Sequence, residues 1–288
     1  AKIQSTEASN EIEGIRTTNT RLKQLVADKT TPRNRDEEEI MGYRDVLNTI
    51  HENYEYIPIR PNYILQLHRD LFRYSEKGIG GQFKNTQNYI SATDTKGHEF
   101  ILFTPLPPYE TPAAVDAICE SYNHVIDTKE VDALILIPVF IRDFLCIHPF
   151  NDGNGRMSRL LTTLLLYRCG YVIGKYISLE SKIAKNKNTY YDALEACQRG
   201  WHENREEAAP FIKYLLRTIL AAYRDFEERV DLVHEKLPAV EVVRRAVYGK
   251  IGKFTKSDIM ELCPTIGKTS VENSIKQLVD RGVLIKHG

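Results

Sequence analysis

The sequence predicts a mostly α-helical fold with one small β-hairpin and a separate C-terminal module of winged helix-turn-helix character. Three observations carry this reading. Apolar residues recur at three- and four-residue spacing along most of the chain, only the segments Asn88–Ala92 and Glu99–Thr104 look like strands, and the texture changes beyond Pro238. With 288 residues, 42% hydrophobic and 27% charged, the chain can form one large core and a smaller module.

Taken in order, residues 1–35 form an N-terminal segment in which Ser9 and Glu13 lie four apart, on one side of a short helix that Gly14 can end. By itself this reads as a solvated acidic helix. A helical body over 36–235 follows, with helices at 36–53, 61–74, 112–127, 133–147, 156–169, 189–198 and 208–234. The two strands flank the turn-like TDTKG, and the proline-rich Thr104–Pro108 closes the hairpin.

The module over 236–288 has clear start and stop signals. Thr255 is an N-cap with Asp258 three residues later and a Phe254/Ile259 staple, so a helix starts there. A second start is expected at Thr269 with Glu272 as capping partner and Val271, Ile275, Leu278 and Val279 on one face. Gly282 ends it and Val283–Ile285 reads as a strand. This order is that of a winged helix-turn-helix, with a small dimerisation or lid module as the alternative. From Leu237 onward nine Lys/Arg face five Asp/Glu, a local charge of +4, which is modest for a DNA-reading surface.

Lys plus Arg equals Asp plus Glu at 39 each, so no net field draws the whole chain to nucleic acid or an anionic membrane. Cys119, Cys146, Cys169, Cys197 and Cys263 contain no C-x-x-C pair and read as reduced core residues. No charge-free apolar run approaches ~20 residues and the first residues are too polar for a signal peptide, so a cytoplasmic protein is expected. His51, His68, His98, His124, His202, His234 and His287 form no ligand-spaced pair and read as surface or capping residues. No G-x-x-x-x-G-K-[ST] is present either.

The chemistry concentrates in IHPFNDGNGRMSR, Ile147–Arg159, set between two apolar helical runs. Gly153 and Gly155 let the backbone aim its N–H groups at one point ahead of a helix start, a place suited to phosphate. Arg156 and Arg159 are three apart and reach the same anion, and two of them suit a polyphosphate. Asp152 in the same loop would repel that anion unless a cation lay between them, and Mg²⁺ is the expected one. His148, at the end of the preceding helix, can be neutral near pH 7 and accept a proton from an incoming hydroxyl.

At these residues the chain resembles the Fic family, whose signature H-x-F-x-[D/E]-G-N-G-R-x-x-R is matched by His148, Phe150, Asp152, Gly153, Asn154, Gly155, Arg156 and Arg159. The resemblance covers residues 1–230 or so and implies a Fic-type helical core with the hairpin as its flap. It implies transfer of AMP from ATP to a Ser, Thr or Tyr hydroxyl of a protein substrate. By it, His148 is the general base, Asp152 the Mg²⁺ ligand, Asn154 and the glycine amides the α-phosphate cradle, and Arg156 and Arg159 the clamps on the outer phosphates. Met157 and Ser158 belong to the same nucleotide-binding run.

Tyr190, Tyr191 and Gln198 resemble the helix bordering the adenosine pocket, although many members have Asn where Gln198 stands, and aromatic core packing is the competing reading of the tyrosines. Lys84 stands where the family pattern usually carries Arg. The stretch SNEIEG, Ser9–Gly14, resembles the family's inhibitory motif, which implies a salt bridge from Glu13 to Arg159 and an inhibited resting state. Self-modification, removal of AMP, transfer of another nucleotide, a homodimer and a nucleotide-sensing DNA-binding regulator stay open as alternatives.

Overall fold

The computed structural model describes residues 1–93, 97–234, 238–248, 254–264 and 266–285. In chain order these form α1 (Lys2–Ile12), α2 (Asn19–Val26), α3 (Arg35–Asn53), α4 (Pro61–Leu71), β1 (Ile90–Thr93), β2 (Glu99–Phe103), α5 (Thr111–Thr128), α6 (Ala133–Ile147), α7 (Asn154–Arg168), α8 (Leu179–Lys185), α9 (Lys187–Gln198), α10 (Ala209–His234), α11 (Ala239–Tyr248), α12 (Lys256–Leu262) and α13 (Lys268–Asp280). Two compact units result, Ala1–Tyr223 and Arg224–Gly288.

In the first unit α7 is the central helix. It packs on α6 and α3, and Met157, Leu160, Leu161 and Leu165 are fully buried. Nearly every side of α7 is buried, Arg156, Ser158, Arg159, Thr162 and Thr163 included, so its polar groups have to find partners within the protein. It begins at Asn154, two residues ahead of expectation, because Gly153 with φ 87° already turns the chain into it. α6 covers 133–147 as its spacing predicts, with Asp132 accepting from the Leu134 N–H at its start.

Periodicity does not disclose α1. Its buried face consists of Ser5, Thr6, Ala8, Ser9, Asn10 and Ile12, so the helix is docked rather than solvated, largely through polar residues. It packs on α3 and α8. Its end is a Schellman turn, in which the Gly14 N–H donates to Glu11 O at 3.0 Å and the Ile15 N–H to Asn10 O at 3.0 Å. Gly14 takes φ 79°, which leaves Glu13 as the last residue before the turn. α2 and α8 were also not foreseen; both are short, at 8 and 7 residues.

β1 and β2 pair antiparallel, with Ile90 opposite Phe103 and Thr93 opposite Glu99, and an irregularity between Ile90 and Ser91. The turn residues 94–96 lie outside the described residues.

In the second unit Val242, Val243, Val247, Ile259, Cys263, Val271 and Leu278 form a core across α11, α12 and α13. The Thr255–Asp258 capping box is present as read. Two expectations need correction. α13 starts at Lys268 behind Gly267 with no side-chain cap, so Thr269 lies inside the helix. Val283–Ile285 is not a strand: the Gly282 N–H bonds Val279 O at 2.9 Å and the Val283 N–H bonds Leu278 O at 2.9 Å, folding the chain back over the helix end. β-propensity makes no strand without a partner edge, and no strand pairs in this unit among the described residues.

The five cysteines are free, and all but Cys169 are buried. Among the described residues no helix is long and apolar enough to cross a membrane.

Candidate active site

The loop between α6 and α7 is held by its own side chains. Asn154 accepts from the Phe150 N–H at 2.9 Å and donates to Phe150 O at 2.7 Å, closing a ring under the turn. The Asn154 side chain thus braces the loop, and the residue also lines the cavity described below. Phe150 lies flat on His68, with centroids 3.6 Å apart and planes at 3°. His68 accepts from the Gly81 N–H at Nδ1, so its Nε2 carries the proton donated to Asp152 O, each at 3.0 Å. Fully buried, His68 is neither a surface nor a capping residue. Gly153 sits so close to the Phe72 ring that a Cβ would come within 2.9 Å of it.

His148 ends α6 in left-handed backbone with φ 52°. Its Nδ1 lies 3.2 Å from Leu145 O, and since a carbonyl only accepts, Nδ1 bears the hydrogen. The lone pair is then on Nε2. Burial pushes His148 down to about 4, against the Leu145 bond that pulls it up, so the imidazole is neutral at pH 7.

Both arginines are engaged. Arg159, 3% exposed, donates through Nε to Ser9 Oγ at 2.8 Å and through Nη2 to Ser9 O at 2.9 Å and Glu13 Oε1 at 2.7 Å. Burial disfavours its charge, but the Glu13 carboxylate together with Tyr190 and Tyr43 outweighs that and holds its pKa above the ordinary value. Arg156 Nη1 is 2.8 Å from Glu39 Oε2, and the guanidinium stacks over Phe72 at 5.2 Å. Its Nε and Nη1 hydrogens nevertheless point at no acceptor, so the contact with Glu39 is one of charge without a directed bond. Two buried, unspent donors suit an anion.

Glu39 and Lys77 escape sequence reasoning, since neither lies in a motif. Burial alone would raise Glu39, but Arg156, Arg35 and Lys77 outweigh it and leave it below the ordinary carboxylate value. Lys77 Nζ lies 3.3 Å from Glu39 and 2.5 Å from Asp152 Oδ2. Burial raises the Asp152 pKa, and Lys77 with Arg156 reverses the sign. Asp152 thus presents an ionised carboxylate to the cavity. A single carboxylate fits a Mg²⁺ that completes its shell with phosphate oxygens and water, and no group of three or more metal-ligating side chains occurs among the described residues.

These groups surround a cavity of about 610 Å³, a volume suited to a small-molecule ligand. His148, Asp152, Arg156, Arg159 and Glu13 line it with Gly153–Gly155, while Tyr190, Tyr191 and Gln198 border the α9 side and Ile90–Ala92 the hairpin side. Tyr191 is 43% exposed, whereas Tyr190 is buried against Phe211 and Tyr214, so it serves as core and wall together. Met157 and Ser158 do not line the cavity. Helical phase turns both side chains inward, and Ser158 Oγ donates to Gly155 O at 2.8 Å.

Burial holds His51, His68 and His148 each at about 4, while the unfolded chain protonates them near the ordinary 6.5. Their contribution to stability is therefore complete above pH 6.5 and is lost as pH falls from 6.5 towards 4, on the order of a few kcal/mol per group. Melting temperature at constant ionic strength should drop steeply over that window, and less steeply in His51→Gln. A flat profile would contradict the burial of these rings.

Residues 58–166, which run from before α4 through the loop to the end of α7, match the family model described as Fic/DOC family. This segment is a Fic domain. Among curated relatives, the protein adenylyltransferase Fic of Aedes aegypti is 28% identical over 160 residues, 53% of this chain and 26% of that protein. That of Nematostella vectensis is 25% identical over 223 residues, 73% of this chain and 45% of that protein. The chain thus spans between about a quarter and under half of the length of the relatives it matches. A Fic domain containing signaling protein from Bacteroides thetaiotaomicron superposes with TM-score 0.63 at 26% identity, over 77% of this chain and 85% of that one. A Fic family protein from Desulfovibrio desulfuricans does so with TM-score 0.63 over 97% of this chain and 79% of that one, at 20% identity a likeness of fold. The hairpin of β1 and β2 lies within the matched segment.

Proposed function

We propose that this chain is a protein adenylyltransferase, held at rest by Glu13. A hydroxyl oxygen of the protein substrate attacks the α-phosphorus of ATP, the α–β phosphoanhydride breaks, and pyrophosphate leaves. The hydroxyl proton goes to Nε2 of His148. The observation that carries this reading is the neutral His148, with Nδ1 tied to Leu145 O, lining one cavity with the α7 N-terminus and Arg156. Asp152 would hold Mg²⁺, which neutralises charge on the phosphates. Arg156 and Arg159 would fix the phosphate chain for in-line attack.

Glu13 supports the inhibited state because it occupies the guanidinium that the outer phosphate requires. The same position favours a second reading, in which Glu13 orients water and the site removes AMP from a modified protein. Purified Glu13→Gly protein incubated with MgATP labelled at the α- or γ-phosphate separates the two. Covalent α-label with a mass gain of one AMP supports transfer. Absence of covalent α-label on the chain and on added acceptor proteins refutes it, and release of AMP from a modified protein supports the second reading.

A further inference from the structure

Four consecutive carbonyls, from the last residue of α6 into the motif loop, are all held by one short segment ahead of the hairpin. Lys84 Nζ donates to Ile147 O at 2.9 Å, and the Lys84 N–H donates to Pro149 O at 2.8 Å. Asn88 Nδ2 donates to His148 O at 3.1 Å and to Phe150 O at 3.0 Å. Lys84 Nζ also donates to Asn88 Oδ1 at 2.9 Å, so the two side chains act as one bracket. Neither residue lines the cavity, and β1 starts just beyond them at Ile90.

A helix end needs partners for its last carbonyls, and a glycine turn or water usually supplies them. Here the donor is an ammonium only 3% exposed, and burial pushes it down to about 8. The bracket's acceptors also enclose His148, whose φ of 52° is left-handed without being glycine. That backbone state sets where the ring points. The contacts fix the peptide groups on either side of it, 60 and 63 residues away in sequence.

We propose that Lys84 and Asn88 are positioning residues for His148. They hold the left-handed backbone that leaves Nε2 as the nitrogen facing the cavity, and they tie it to the root of the flap. Movement of the flap root therefore reaches the imidazole through two side chains without passing through the nucleotide. Only the kinetic arm of the test rests on the transferase reading.

Asn88→Asp keeps the size and the contact with Lys84 but removes both donors to the loop. In a Glu13→Gly background it should lower kcat for AMP transfer at least about tenfold with KM for ATP within about twofold, because geometry at the base is lost while the phosphate site stays. Lys84→Met should act likewise, and Lys84→Arg should recover most of that loss. Nitrogen-15 NMR of the histidine side chains provides the arm independent of catalysis. The unmodified chain should show His148 as a single Nδ1–H tautomer, and Asn88→Asp should show a mixture. Should Glu13→Gly transfer nothing, the transferase reading fails and the tautomer result alone decides. Unchanged kcat in Asn88→Asp, a proportional change in KM, or a retained single tautomer overturns the proposal.

Discussion

His148→Ala in a Glu13→Gly background should lower AMP transfer by about 10²–10⁴-fold, the range that a positioned general base contributes. ATP affinity should stay within about threefold, since the phosphates are met by the α7 N-terminus and the arginines. The expectation follows from one tautomer. With the hydrogen on Nδ1 bonded to Leu145 O, His148 offers the cavity an acceptor, and its low pKa keeps that acceptor unprotonated at pH 7. Initial rates of α-label incorporation, together with nucleotide titration, check both parts. Transfer that survives the substitution would remove His148 from the chemistry.

Glu13→Gly should raise the rate of transfer by at least about tenfold, since it frees the Arg159 guanidinium for the outer phosphates and lets them set in-line geometry. Removing one partner of a buried pair commonly costs about 3–5 kcal/mol. The loss here should be smaller, because the Glu13 side chain is 33% exposed and Arg159 keeps its bonds to Ser9 Oγ and Ser9 O. α1 also retains the bond from Lys187 Nζ to Ile12 O at 2.6 Å. Rates and melting curves of Glu13→Gly and Glu13→Gln, measured side by side, check this. Equal rates in wild type and Glu13→Gly under saturating MgATP would show that the ion pair restrains nothing.

The loop and its two helices were legible because they are local. A motif of eight fixed positions between apolar runs places His148, Asp152 and both arginines without tertiary knowledge. The supports of the loop were not legible. Lys77 and His68 meet Asp152 across 75 and 84 residues, and nothing in their own neighbourhoods marks them. The docking of α1 escaped for another reason, since its buried side consists largely of Ser5, Thr6, Ser9 and Asn10, and an apolar-period test is blind to a face that docks through hydroxyls and amides. Val283–Ile285 failed in the opposite direction: residue type favours a strand, but the turn at Gly282 returns the chain to the end of α13.

The Glu13 carboxylate lies against Gly155 so closely that a Cβ there would overlap it. That narrow space admits either a carboxylate or a phosphate oxygen. On the proposed reading the chain carries its own competitor on a tether, at an effective concentration set by how firmly α1 is docked and unaffected by dilution. A ligand that ends short of Arg159 escapes this competition, whereas each one that reaches it must displace a tenant already in place.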